Sequence, residues 1–201
     1  MKITGAAMMT AEHHFRTLRR KGSFGPFADL NTGRRELSAL PGMPACDFGD
    51  FGRGGMTVRK MTLTALLAAW DSGDPQFEDA GVIGWNGCGC TAENLTYWRD
   101  YVSNGREAGR GGLFVATLPT IPCCETAIAL HCRGPAAYFR TRPSLAALQE
   151  ILADFPPGRF FCSEMTAETV CVLLADTRLQ GDALPETGTL AGLFAGLEAG
   201  Q

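Results

Sequence analysis

Residues 112–148 read GLFVATLPTIPCCETAIALHCRGPAAYFRTRPSLAAL. A short apolar run, 113–118, closes on Pro119. From about Cys124 to Cys132 the spacing is that of a helix, and Arg133-Gly134-Pro135 stops it. Ala136 to Phe139 then predicts a strand, and Ser144-Leu145-Ala146-Ala147-Leu148 opens another helix. A strand that passes through a tight corner into a helix is where many folds present a reactive side chain. The corner here is Arg140-Thr141-Arg142-Pro143, and it holds no cysteine, serine or histidine.

Working outward, the pattern alternates strand and helix. Residues 2–9 predict a first strand ending near Thr10, and residues 12–20 a short helix with Phe15 and Leu18 inward. From 21 to about 56 Gly, Pro, Asp and Arg dominate and no period holds, which predicts a long irregular insertion. Residues 57–72 place Leu63, Leu66, Leu67 and Trp70 on one helical stripe, with Gly73 as its stop. Residues 82–85 form a short buried strand, and the Asn86-Gly-Cys-Gly-Cys90 turn follows. Thr91 reads as the N-cap of a helix whose face is Leu95, Trp98 and Val102. Residues 106–112 read as a loop rich in glycine and charge. A helix over 143–154 carries Leu145, Leu148, Ile151 and Leu152 on one side, and residues 159–164 and 169–175 predict two strands. The expectation is one domain over 1–175 with a loop-like tail over 176–201, in an α/β fold whose mixed sheet is covered by helices.

The chain has 201 residues, enough for a real core at 45% hydrophobic and 19% charged. A net charge of -3 argues against a nucleic-acid binder, which needs surplus Lys and Arg to neutralise phosphates. The cluster Arg16, Arg19, Arg20 and Lys21 reads as a solvated face. No apolar run is long enough to span a bilayer and no signal-peptide core opens the chain, so the expected location is the cytoplasm. The 8 cysteines mostly sit inside apolar periodic segments and read as packed thiols.

Several side chains invite a chemical reading. Cys123 and Cys124 sit near a helix start, where the dipole depresses a thiol pKa; packing against the glycine turn is the simpler account. Cys88, Cys90, Cys123, Cys124 and Cys132 lack the paired spacing of structural zinc, so no metal is expected. His131 lies at a helix end beside terminal carbonyls, and Glu125 reads as charge in a first helical turn. The glycines at 84, 87 and 89 do not make a dinucleotide or phosphate loop, so no cofactor is expected.

Five pieces in order resemble the N-terminal half of a β-ketoacyl synthase, a member of the thiolase-like superfamily. They are Ile3-Thr4-Gly5 with the small residues after it, Arg59-Lys60-Met61-Thr62 with 65–70, and Gly81-Val82-Ile83-Gly84 with its glycine turn. Leu118-Pro119-Thr120 through Arg133-Gly134-Pro135, and Ser144-Leu145-Ala146-Ala147-Leu148, complete the set. The resemblance implies a three-layer thiolase-like half-fold. It is similar to short ketosynthase-like domains that stand alone, some beside aryl-polyene or polyketide pathway genes. The family's cysteine nucleophile would fall at Thr141, and none of His13, His14 and His131 lies where the family's two histidines would be, so the resemblance implies a chain without condensing chemistry. It further implies a partner or scaffold in acyl-carrier-protein-dependent fatty-acid or polyketide assembly. Arg140 and Arg142 would meet the carrier or its phosphopantetheine, and Ala136, Ala137, Tyr138 and Phe139 would form a strand pairing in a homodimer or with a full ketosynthase. Two alternatives stand beside it: an acyltransferase using a relocated Cys123 or Cys124, and a structural homodimer without a pathway role.

Overall fold

The computed structural model describes residues 1–49, 51, 55–74, 76–86, 89–142, 144–166, 168–181 and 188–199. In chain order the elements are β1 (Lys2–Thr10), β2 (Phe15–Thr17), β3 (Ser23–Phe24), α1 (Leu30–Ser38), α2 (Met56–Ser72), β4 (Gly81–Asn86) and α3 (Thr91–Asn104). Then come α4 (Gly111–Ala116), α5 (Ile121–Ala129), β5 (Ala136–Arg140), α6 (Leu145–Ala153), β6 (Arg159–Met165), β7 (Thr169–Asp176) and α7 (Leu190–Ala199). The strands join into one seven-stranded mixed sheet in the order β3-β2-β1-β7-β6-β4-β5. Strand β4 runs parallel to both β5 and β6, and the remaining pairs are antiparallel.

Helices cover both faces. On one face Met61, Leu63, Leu66 and Leu67 of α2 join Leu30 and Leu37 of α1, Cys123 and Ala127 of α5, and Val172 and Leu174 of β7. On the other face Leu145, Leu148 and Leu152 of α6 and Leu190 and Phe194 of α7 pack on Ile83, Trp85, Cys162 and Leu173. Helix α2 is buried on nearly every side, which explains why its apolar residues exceed a single stripe. It presses on β1 at Gly5, where an added Cβ would stand 2.2 Å from the Ala68 carbonyl oxygen, a contact only glycine permits. Its buried Asp71 accepts hydrogen bonds from the Ala6 amide at 3.0 Å and from the Arg19 and Arg20 amides at 3.0 and 2.7 Å. One carboxylate thereby fastens α2, β1 and the turn after β2. Gly73, at φ 74°, ends α2 where the spacing predicts.

Three expectations are corrected. Residues 12–20 contain a strand rather than a helix: Phe15 and Thr17 are buried opposite Met9 and Ala7, with Arg16 between them partly exposed. The Thr10 amide donates to the His14 carbonyl at 2.9 Å, closing a tight hairpin. The 21–56 insertion holds β3 and α1, the latter capped by Asp29 accepting from the Thr32 amide at 2.8 Å. The tail carries α7, because Leu190 and Phe194, four residues apart, bury together on the sheet.

Candidate functional site at the strand-to-helix corner

The parallel strands β4 and β5 end side by side, with Tyr138 opposite Gly84 and Arg140 opposite Asn86. Clefts outside the carboxyl ends of parallel strands are the usual ligand positions of α/β sheets. A cleft of about 650 Å³ opens there, lined by Gly89, Cys90, Leu95, Trp98, Tyr138 and Arg140 among others. Among the described residues strand β5 pairs only with β4 and is the sheet's edge. Ala136 and Tyr138 pack toward the α2 and α5 layer, while Ala137 and Phe139 pack toward α6. Phe139 meets the Phe155 ring edge-on at 6.2 Å.

Thr141 lies in the turn between β5 and α6, as the sequence predicts, and Pro143 falls outside the described residues. The amides at the start of α6 are taken by the chain itself. Ser144 Oγ accepts from the Ala147 amide at 3.0 Å, and the Gly188 carbonyl accepts from Leu145 at 3.1 Å. Thr141 is half-buried in that turn. His13 and His14 sit at the β1–β2 hairpin, across the full sheet from β5, where His14 Nε2 bonds Ser23 Oγ at 2.8 Å. His131 precedes β5 and so lies at the strand's opposite end from Thr141. Arg140 and Arg142 are both exposed.

Cys123 is buried under β4: an added Cβ at Gly84 would stand 2.8 Å from its Sγ. Burial, reinforced by the neighbouring Cys124 thiol, pushes the Cys123 pKa up to about 12, the reverse of an activated nucleophile. Cys124 is half-buried, and Cys88 lies outside the described residues. Glu125 sits at mid-helix in α5, not in the first turn, because the helix begins at Ile121 with a proline in its opening positions. Among the described residues no three His, Cys, Asp or Glu side chains gather as a metal site.

What sequence reasoning missed is the environment of α3. Cys90, not Thr91, is its N-cap. The expected stripe exists, yet Leu95, Trp98 and Val102 are 49%, 59% and 66% exposed, and no residue of the helix is buried. Helices α3 and α4 pack on one another instead. Trp98 stacks on Tyr101 at 5.5 Å, and Tyr97 meets Phe114 of α4 at 6.0 Å. Arg110 pairs with Asp100, holding that carboxyl below its ordinary range, and lies over the Tyr101 ring. Thr57 of α2 donates to Glu93, tying the arm to the body. Leu113, Phe114, Val115 and Leu118 continue the exposed apolar surface. Spacing showed an apolar helix face; only its burial distinguishes an internal contact from an open one.

Glu164 also escaped the sequence reading. It is buried on β6 and accepts the Leu190 amide at 2.7 Å, which caps α7. Burial pushes its carboxyl pKa up, partly offset by that amide.

No helix among the described residues is long and apolar enough to cross a membrane. No protein-family model matches the sequence, and no curated protein matches it. Solved structures do. The chain overlays on a β-ketoacyl synthase from Burkholderia phymatum STM815 with a TM-score of 0.54 and 14% identity, over 88% of this chain and 59% of that one. It therefore spans well under two thirds of that synthase. It also overlays on a chain from the complex of the ketosynthase ApeO with its chain length factor ApeC, from Xenorhabdus doucetiae. There the TM-score is 0.56 and the identity 12%, over 98% of this chain and 90% of that one. At these identities the likeness is one of backbone, and with the mixed sheet between helical layers it establishes a ketosynthase-like, thiolase-type α/β fold for this chain.

Proposed function

We propose that this chain is a non-condensing ketosynthase-like subunit that partners a complete ketosynthase in acyl-carrier-protein-dependent fatty-acid or polyketide assembly, of the aryl-polyene type. The observation that carries the reading is the α3–α4 arm. It leaves Leu95, Trp98, Val102 and Phe114 exposed, and Leu95 and Trp98 share a cleft with Tyr138 and Arg140 of the edge strand β5. Apolar patches of this kind mark protein contacts. Ala136 and Ala137 let a partner backbone approach that edge, and Tyr138 and Phe139 add area. The overlay on a chain from a ketosynthase–chain length factor complex supports a ketosynthase as occupant.

Chemistry at the corner supports the non-condensing part. Thr141 replaces a thiol, the histidines lie elsewhere, and the Cys123 thiol is held neutral. Arg140, on the cleft wall, and Arg142 supply the positive charge that would meet a carrier protein or its phosphopantetheine arm. An acyltransferase using a relocated Cys123 finds no support in a thiol pushed to about 12.

Co-expression with a complete ketosynthase from the same genome tests the reading. A stoichiometric complex in sedimentation, with acyl label confined to the ketosynthase, is the expected result. Acyl label mapped to Thr141, Cys123 or Cys124 of this chain would refute it. A stable dimer of this chain alone that ignores the ketosynthase would favour the structural homodimer.

A further inference from the structure

Glu164 of β6 is 2% exposed and stands in register with Trp85 of β4, on the face that α6 and α7 cover. Among the described residues its one hydrogen bond is with the Leu190 amide, at 2.7 Å, and it has no ion pair. Strands β4 and β7 and helices α6 and α7 contain no lysine, arginine or histidine. On β6 itself Arg159 lies at the opposite end and pairs with Asp74 and Asp79. In the sequence 177–189, which leads from β7 to α7, Arg178 is the only cation, and it pairs with Asp176 and Asp79. The titratable groups on these elements are Cys162 on β6, Cys171 in register with Glu164 on β7, Asp176 at the other end of that strand, Glu150 exposed on α6 and Glu198 at the far end of α7. Burial, joined by the Glu164 charge, pushes the Cys171 thiol up to about 12, so that neighbour stays neutral.

A carboxyl deprived of both water and a cation favours its neutral form. The Leu190 amide pulls the other way, but burial outweighs it and the pKa is raised. Beside the carboxyl, the buried Trp85 indole N–H has no acceptor among the described residues. The cover made by α6 and α7 therefore buries Leu190 and Phe194 while it withholds water from two polar groups. Among the described residues two hydrogen bonds tie α7 and its approach to the rest of the chain. One joins Leu190 to Glu164, and the other runs from the Leu145 amide of α6 to the Gly188 carbonyl at 3.1 Å. The last helix has a small apolar footing and a polar tie whose balance a single proton changes. We propose that Glu164 is a proton-sensitive latch: α7 docks on the neutral carboxyl and lifts from the ionised one. Lifting returns water to Glu164 and Trp85. It also frees the Leu145 amide at the start of α6, next to the turn that carries Thr141. The latch couples pH to the strand-to-helix corner, and it stands whether or not a ketosynthase is the partner.

Hydrogen exchange of the full chain tests it, read amide by amide by NMR between about pH 4 and 8 and corrected for the intrinsic rate. Helix α2 supplies the reference, because its buried amides open only with the whole fold. Protection of residues 190–199 and of Leu145, taken relative to α2, is expected to fall by about tenfold per pH unit above about 4.5 and to level once the docked carboxyl ionises. In Glu164→Gln, whose amide oxygen still accepts from Leu190 and which never ionises, the ratio is expected to stay flat. The Glu164 carboxyl carbon signal of the native chain gives a second readout that needs no variant. It is expected to titrate above 4.5, over the same range in which α7 loosens. A ratio that ignores pH in the native chain, a Glu164 carbon that titrates at 4.5 or below, or an α7 that loosens alike in Glu164→Gln would overturn the latch.

Discussion

Helices α2 and α3 carry similar lettering and opposite fates. Both repeat apolar residues at helical spacing: Leu63, Leu66, Leu67 and Trp70 in one, Leu95, Trp98 and Val102 in the other. Helix α2 has ten buried residues, and α3 has none. The difference lies in what surrounds them. Helix α2 lies on the sheet with α1 and α5 packed beside it, and its Asp71 collects amides from two other segments. Helix α3 packs on α4 and is tied to the body by Thr57 and Glu93. Apolar periodicity reports that a helix has something to bury. It does not report whether the cover comes from the same chain.

Stability measurements can break this contrast, and the core comes first. Leu66 is fully buried, so Leu66→Ala is expected to cost about 2–5 kcal/mol by urea unfolding, through lost burial and the cavity left behind. Asp71→Ala leaves the buried Ala6 amide without its acceptor and removes that of the part-buried Arg19 and Arg20 amides, and about 1–3 kcal/mol is the expected loss. Asp71→Asn keeps one acceptor oxygen and should lose less. An exposed arm predicts a third outcome: Trp98→Ser and Val102→Ser should each move the stability of the isolated chain by no more than about 0.5 kcal/mol. If either costs as much as Leu66→Ala, the arm packs against the body in solution and the comparison fails. The same substitutions should abolish the complex with a ketosynthase, which sharpens it.

Glu164 adds a pH arm. Its folded pKa is raised above the ordinary 4.5, so the folded state holds the proton more tightly than the unfolded chain. The resulting stability is fully present below about pH 4.5 and is lost as pH rises through the folded value. Asp176 acts in the opposite sense. Its bond with Arg178 lowers its pKa below 3.8, and that stability is lost only as pH falls through the lowered value. Glu164→Gln should therefore flatten the decline above pH 4.5 and leave the acid limb unchanged, in urea midpoints collected across pH. An unaltered decline in the variant would show that Glu164 is not its source.

The legible parts of the site are those governed by local chemistry. A helix opening at Ser144, Gly73 as a stop and the strand at 136–139 follow from residue type and spacing. Residues 12–20 show the limit: Phe15 and Leu18 satisfy a helix, but Met9 and Ala7 on a neighbouring strand pair with Phe15 and Thr17 and settle the matter. Glu164 shows another. A charged residue in a strand gives no hint that it caps a helix beginning at Leu190, because the contact exists only once α7 crosses the sheet.

From the letters alone came the alternation of strands and helices, a threonine at the corner between a strand and a helix, and the order of pieces resembling a ketosynthase half. These depend on side-chain identity and short-range geometry, which a linear string carries in full. The tertiary structure alone decided that α3 faces outward and that Cys123 lies beneath Gly84. Burial is a property of all neighbours at once, and most of those neighbours are distant in the chain.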